Sequence, residues 1–128
     1  MSNVGDGFND DEVLSPVQVE QLVRKFANDI SRGVRVVSDA QRKYKTATRI
    51  YDHAYAVAYM AHTGPQSEKK YAAEKATQQE RTEADAAEVA FRHAERQMKA
   101  LETQLSAAQT IAKSINQMYG AAGSGRGN

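Results

Sequence analysis

A seven-residue repeat of apolar side chains in the last third of the chain most constrains what this sequence can fold into. Between Ala84 and Tyr119, steps of three and four residues meet only apolar residues, for five heptads. This pattern is typical of a helix that lies along another helix. The stripe consists of Ala84, Ala87, Phe91, Ala94, Met98, Leu101, Leu105, Ala108, Ala112, Ile115 and Tyr119.

A second stripe of the same period runs through the first half of the chain. Ser15 is predicted to cap this helix, with Pro16 at the first helical position and Gln18 as the capping-box partner. The register is the same on both sides of Gly33, which favours one long helix over two helices separated by a break from Ser31 to Gly33. The stripe consists of Val19, Val23, Phe26, Ile30, Gly33, Val37, Ala40, Tyr44, Ala47, Tyr51, Ala54, Ala58 and Ala61.

Glycine, proline and threonine mark the predicted helix ends. Gly64 is expected to be a left-handed cap before Pro65, so the first long helix should span residues 15–63. Residues 66–119 form the second helical arm, and Thr77 opens a capping-box pattern, so we expect a short helix or a kink there.

Both ends of the chain lack apolar periodicity. Residues 1–14 are acidic and are predicted to be a disordered tail. Gly120 is predicted to end the last helix, which leaves residues 120–128 as a flexible, glycine-rich tail.

The predicted fold is all-α: a long antiparallel helical hairpin, coiled-coil-like, two copies of which form a four-helix bundle. No alternating apolar run indicates a strand, and a short turn between long helices makes them antiparallel. Two helices alone bury little apolar surface, and Ala90, Ile111 and Met118 widen the second stripe, so we expect self-association. The predicted oligomer interface consists of Phe91, Met98, Leu101, Leu105, Ile111, Ile115 and Met118.

The overall composition excludes few classes of function but indicates the cellular compartment. With 128 residues, 17 basic and 16 acidic side chains, the chain fits one domain without a strong net field. The lack of cysteine excludes disulfides and Cys-ligated zinc. No apolar run approaches the roughly 20 residues of a membrane span, and the polar, acidic start does not fit a signal peptide. We therefore expect a cytoplasmic protein with no membrane partner.

No catalytic or metal-binding motif is evident in the sequence. His53, His62 and His93 have no carboxylate or histidine three or four residues away, so the Glu-x-x-His pattern of bundle metal sites is missing. Neither a phosphate loop nor a nucleophile elbow occurs. We predict a protein that is not an enzyme and that needs no cofactor or metal.

Four of the six tyrosines lie on one side of the first helix: Tyr44, Tyr51, Tyr55 and Tyr59. One interpretation is a platform on which nucleic-acid bases stack. The other is a bulky core or interface stripe, which we favour because Tyr44 and Tyr51 occupy heptad positions.

The strongest local charge bias lies in residues 24–49, which hold eight basic side chains against two aspartates. Arg35, Arg42 and Arg49 repeat every seven residues and form a line on the outer face of the helix, which could follow a phosphate backbone. The alternative is a solvated face on which Asp39 pairs with Lys43 or Arg35. The candidate nucleic-acid-binding residues are Arg24, Arg35, Arg42, Lys43, Lys45 and Arg49.

The segments RIYDHAYAVAYMAHTG and AEVAFRHAERQMKALETQLSAAQTIAKSINQMY resemble small helical proteins of phages that infect actinobacteria and other Gram-positive hosts. The resemblance covers residues 49–119 and rests on a Tyr/Ala-rich helix, a Lys/Ala/Glu segment and a long Ala/Leu heptad helix. The resemblance implies that the protein is encoded in a gene module near recombination and single-strand-binding functions. It also implies that the protein is located in the cytoplasm of the host cell. Helical-hairpin secretion substrates are also similar, but this chain has no Trp-x-Gly at its turn.

We therefore predict a non-enzymatic, self-associating helical binding protein, an accessory factor in phage DNA recombination or replication. Its expected partners are a second copy of itself and DNA or a DNA-metabolism protein. The alternatives are a structural coiled-coil scaffold and an inhibitor of a host protein that uses the acidic tail as bait.

Overall fold

The structure, a computed structural model, describes residues 14–126, with side chains described as far as Gly120. Within that range the chain is all-helical, as predicted, and contains no strand. The acidic tail predicted for residues 1–14 lies outside the described residues except for Leu14, as do the last two residues of the glycine-rich tail. The helices are α1 (Pro16–Ala61), α2 (Gln66–Ala76) and α3 (Gln78–Arg126).

The predicted capping box starts α1. The Ser15 backbone N–H donates to Gln18 Oε1 at 2.8 Å, and the Gln18 N–H donates to Ser15 Oγ at 3.2 Å. Pro16 is the first helical residue and has no N–H to satisfy. From there α1 runs as one helix of 46 residues, continuous through Gly33. A glycine costs a helix only about 1 kcal/mol relative to alanine, which the stripe on either side can offset.

The turn after α1 uses Gly64 differently from the prediction. Gly64 is not in the left-handed region, so the expected left-handed cap is wrong. A Cβ at this position would lie 2.5 Å from His62 Nε2 and 2.9 Å from Glu68 Oε2. A side chain at Gly64 would therefore displace the ends of His62 and Glu68, and the turn does not use a positive φ. Accordingly α1 ends at Ala61, before the predicted boundary.

A single residue, Thr77, separates α2 from α3 and lies at the position of the predicted break. Its hydroxyl donates to the Ala73 carbonyl at 2.7 Å, and the side chain is buried. The expected capping box with Glu80 is therefore wrong, because the hydroxyl bonds back into the last turn of α2. The start of α3 is held instead by the Arg81 N–H, which donates to the Thr77 carbonyl at 3.0 Å.

Gly120 does not end α3, contrary to the prediction, since the helix continues to Arg126. A Cβ at Gly120 would meet no atom within 4 Å, so no described neighbour imposes a turn there. Two alanines follow, and alanine is the best helix former.

The chain divides into two compact units. One, here called the terminal unit, comprises Met1–Asp29 and Leu101–Asn128, and the other, the central unit, comprises Ile30–Ala100. In the described part of the terminal unit, Val19 of α1 and Ala108 and Ile115 of α3 are buried. All three occupy predicted stripe positions, so the stripes form the core of this unit.

The core of the central unit is also built from the predicted stripes. Tyr44 of α1 stacks on Phe91 of α3, with ring centroids 5.8 Å apart. Phe91, Ala84 and Ala94 are buried, as is Ala73 of α2. Among all described residues only seven apolar side chains are buried, and four of these are alanines. The core of a single chain is therefore thin.

We expect Ser15→Ala to lower the free energy of unfolding by about 1 kcal/mol, because it removes one half of the capping box. Ser38→Ala is the matched control, since Ser38 is exposed within α1 and its replacement should change stability by less than about 0.5 kcal/mol. Urea unfolding followed by circular dichroism measures both. Equal effects of the two substitutions would show that the cap contributes nothing.

Candidate nucleic-acid interface

Five predicted cations lie together on α1 in the central unit. We call Arg35, Arg42, Lys43, Lys45 and Arg49 the basic face, and all five side chains are exposed. Its three arginines are spaced by seven residues, so they lie on one side of the helix, roughly 10 Å apart along its axis at 1.5 Å per residue.

The arginine line points away from the helix packing. Tyr44 lies nine residues after Arg35, which is two and a half turns, so the two side chains leave α1 on opposite sides. Because Tyr44 packs on Phe91, the arginine line faces away from α3. The relation predicted from the sequence, with tyrosines inside and arginines outside, is therefore present in this unit.

One ion pair neutralises part of the positive charge of the basic face. Arg42 Nη2 lies 2.8 Å from Asp39 Oδ1 and donates a hydrogen bond to it. The expectation that Asp39 pairs with Lys43 or Arg35 is therefore wrong, because Arg42, three residues after Asp39, binds this carboxylate. Among the described residues, no carboxylate lies within 4.0 Å of the other four cations of the basic face, so they keep their full charge for a partner.

Arg24, the sixth predicted cation, belongs to the terminal unit. Its Nη2 lies 2.7 Å from Glu20 Oε1, and both side chains are exposed. The neighbouring Lys25 Nζ lies 3.6 Å from Asp29 Oδ2. Arg24 therefore does not belong to the basic face.

The tyrosines pack on one another and on neighbouring helices. The rings of Tyr51 and Tyr55 meet edge to face at 6.1 Å, and those of Tyr55 and Tyr59 stack at 6.3 Å. Lys69 of α2 places its Nζ 5.7 Å from the Tyr59 ring centroid. All of these tyrosines are half-buried, as is Tyr44. The contacts support the core interpretation over a platform for bases.

The residues predicted as an oligomer interface differ widely in exposure. Phe91 and Ile115 are buried within the chain itself. Ile111 and Met118 are 41% and 62% exposed. The half-buried members are Met98, Leu101 and Leu105. The prediction therefore combined residues of the intrachain core with residues that remain accessible.

One close pair of titratable groups was not anticipated. His62 Nε2 lies 3.5 Å from Glu68 Oε2, and this nitrogen has no hydrogen-bond partner among the described residues. The pair spans the α1–α2 turn at a separation of six residues, which no single-helix spacing rule detects. In the described part of the chain, no group of three or more His, Asp or Glu residues is placed to hold a metal ion.

Comparison with protein-family models, with curated proteins and with solved structures gave no match. Between residues 14 and 126, no helix has the length and apolarity that crossing a membrane requires. The proposed function therefore depends on the side chains of the basic face and on the residues around them.

We expect Tyr44→Phe to change the free energy of unfolding by less than about 1 kcal/mol, because the hydrogen bond from its hydroxyl to Glu88 Oε2 is long, at 3.4 Å. Tyr44→Ala should cost about 2 kcal/mol or more, because it removes the ring that packs on Phe91. Thermal unfolding followed by circular dichroism compares the two variants. If Tyr44→Ala proves as mild as Tyr44→Phe, Tyr44 is not a core residue.

Proposed function

We propose that this chain is a non-enzymatic, self-associating helical binding protein that contacts nucleic acid through the basic face of α1. One observation carries the proposal: Arg35, Arg42 and Arg49 lie in a line on the exposed side of a packed helix. A helix holds such cations at fixed spacing, so each contact with a phosphate releases counterions without first ordering a loop.

The architecture we propose for this function is an antiparallel hairpin that dimerises into a four-helix bundle. Two cavities of the central unit support the antiparallel arrangement. Val36 lines one cavity together with Gln97, whereas Ile50 lines another together with Glu83. From the first cavity to the second, the residue number rises on α1 and falls on α3, which is what an antiparallel hairpin requires.

The contact that we propose is with phosphates rather than with bases. Arginine and lysine contacts to phosphates position a protein on nucleic acid but carry no sequence information. Aromatic rings that could stack on bases lie on the other side of α1, where Tyr44 is engaged by Phe91. Binding should therefore tolerate many sequences, which suits the accessory role in phage DNA recombination or replication that the sequence resemblance implies.

Replacing Arg35, Arg42 and Arg49 together with glutamine should weaken DNA binding while leaving helicity intact, because all three side chains are exposed. The slope of log affinity against log salt should fall by about 0.9 per lost contact on duplex and about 0.7 on single strands. Fluorescence anisotropy at several salt concentrations measures this with oligonucleotides of unrelated sequence.

The matched control replaces Lys70, Lys75 and Arg96, which lie outside α1, with glutamine, and this changes the net charge equally at exposed positions. This control should keep a steeper salt dependence than the α1 variant. The proposal fails if the wild type binds neither single-stranded nor duplex DNA at low salt, or if both triple variants lose the same affinity.

Asp39→Asn should strengthen DNA binding, because it releases Arg42 from its ion pair and removes a negative charge beside the basic face. A surface ion pair is worth up to about 1 kcal/mol, so the gain should be roughly twofold to fivefold. The control is Asp85→Asn, which removes an equal charge from the Arg81–Asp85 pair on α3. A gain of the same size in the control would mean that only net charge matters.

A second candidate function is assembly or scaffolding. It is favoured by the thin core and by large apolar side chains that α1 leaves exposed, among them Val36, Ile50 and Val57. On this view the helices serve mainly to bring copies of the chain together.

A further inference from the structure

A cavity of about 420 Å³ lies on α1 at one end of the basic face. It is lined by Tyr44, Lys45, Thr48 and Arg49. The last three have the spacing i, i+3 and i+4, which makes side chains neighbours on the surface of a helix. The cavity therefore brings a lysine, an arginine and a hydroxyl group together on one side of α1.

The two cations of this cavity repel each other. Lys45 and Arg49 are four residues apart, a spacing at which like charges destabilise a helix. Among the described residues, no carboxylate lies within 4.0 Å of either cation. An anion bound between the two side chains would replace this repulsion with two attractions.

The hydroxyl of Thr48 is available to a ligand. Thr48 is half-buried, and its hydroxyl makes no hydrogen bond with any other described residue. The hydroxyls of Thr77, Thr82 and Thr110, by contrast, donate to the carbonyl four residues earlier. A hydroxyl beside two cations can donate to an anionic oxygen, as serine and threonine do in contacts with phosphates.

The two cavities between α1 and α3 suit an anion less well. Lys43 lines both of them, but Asp39 also lines the first and Glu83 the second. Arg42, which lines the second cavity, is already bonded to Asp39. In the described part of the chain, no carboxylate lines the cavity at Thr48.

Carboxylates near the cavity at Thr48 do not neutralise its cations. Glu88 of α3 accepts the hydrogen bond from the Tyr44 hydroxyl, but its Oε2 also lies 3.9 Å from Arg92 Nη2, which balances its charge. Asp52 follows Arg49 by three residues, yet it does not line the cavity and forms no ion pair with Arg49. The charge of the lining residues is therefore positive.

The packing of Tyr44 fixes this part of α1 in place. Its ring stacks on Phe91 at 5.8 Å, and both residues belong to the core of the central unit. Lys45 and Thr48 are thus carried by a packed helix. Binding needs to order only the ends of two long cationic side chains, which limits its entropic cost.

We propose that Lys45, Thr48 and Arg49 hold one phosphate group of a nucleic-acid backbone, and we call these three residues the phosphate site. Both cations contact the anionic oxygens, and the Thr48 hydroxyl donates a hydrogen bond to one of them. The inference rests on the proposed function and names the part of the basic face that seats a phosphate. It adds Thr48, an uncharged residue, to the binding surface.

Thr48→Val tests the proposal, because valine has nearly the shape of threonine but no hydroxyl. Fluorescence anisotropy with single-stranded and duplex oligonucleotides should show an affinity for DNA about threefold to tenfold lower than that of the wild type. The slope of log affinity against log salt should not change, since no charge is lost. Lys45→Gln should instead reduce this slope by about 0.7 to 0.9.

Thr46→Val is the matched control, and Thr48→Ser is the rescue. Thr46 is exposed and lines the cavity that Glu83 also lines, so Thr46→Val should bind DNA like the wild type. Both valine variants carry the same change in helix propensity. Thr48→Ser keeps the hydroxyl and should also bind DNA like the wild type. Circular dichroism should show equal helicity in all of these proteins.

Inorganic pyrophosphate tests the phosphate site without DNA. Added to the isotopically labelled chain, it should shift the amide NMR signals of residues 45–49 until they saturate, and Thr48→Val should weaken this binding. If pyrophosphate binds there but the wild type binds no DNA, the nucleic-acid proposal fails. The phosphate site then stands as a site for a free phosphate compound.

Three results overturn the inference. Thr48→Val may bind DNA as tightly as the wild type, Thr46→Val may lose as much affinity as Thr48→Val, or pyrophosphate may leave the signals of residues 45–49 unchanged. If DNA binding by the wild type accompanies any of these results, only the phosphate site is overturned. The arginine line then accounts for the contact with phosphates.

Discussion

The packing of α1 on α3 through small and aromatic side chains determines which surfaces of this protein remain exposed. In the central unit, Tyr44 and Phe91 supply the largest contact, and alanines at the neighbouring stripe positions bring the backbones close. Most of the stability of a helix in a protein comes from packing of its apolar face, so each helix depends on the stripe of the other. The direction of every other side chain on α1 follows from which side Tyr44 occupies.

Two exposed surfaces on α1 follow from that orientation. The arginine line lies opposite Tyr44 and is exposed, although Arg42 bonds to Asp39, and it suits a salt-dependent partner. Exposed apolar side chains, among them Val36 and Ile50, lie between these two directions.

The sequence predicted the features that depend on periodicity and failed where a single position depends on its neighbours in space. Both stripes and the cap at Ser15 could be recognised, because hydrophobic periodicity and local hydrogen bonds depend only on residues that are close in the sequence. Gly64, Thr77 and Gly120 were misjudged, because a glycine or threonine is compatible with several local structures and tertiary contacts decide among them. The cavities between α1 and α3 were not predicted, because each needs side chains from two helices at a register that the sequence does not reveal.

The buried alanines decide how this chain responds to substitution. Ala73, Ala84 and Ala108 have almost no exposed surface, so a larger side chain at these positions must displace its neighbours. In most cores the damaging change is a loss of volume, which leaves a cavity. At these alanines the damaging change is a gain of volume, since the added atoms must displace packed neighbours. Tolerance at these positions should therefore decline with side-chain size, even among good helix formers such as leucine and methionine.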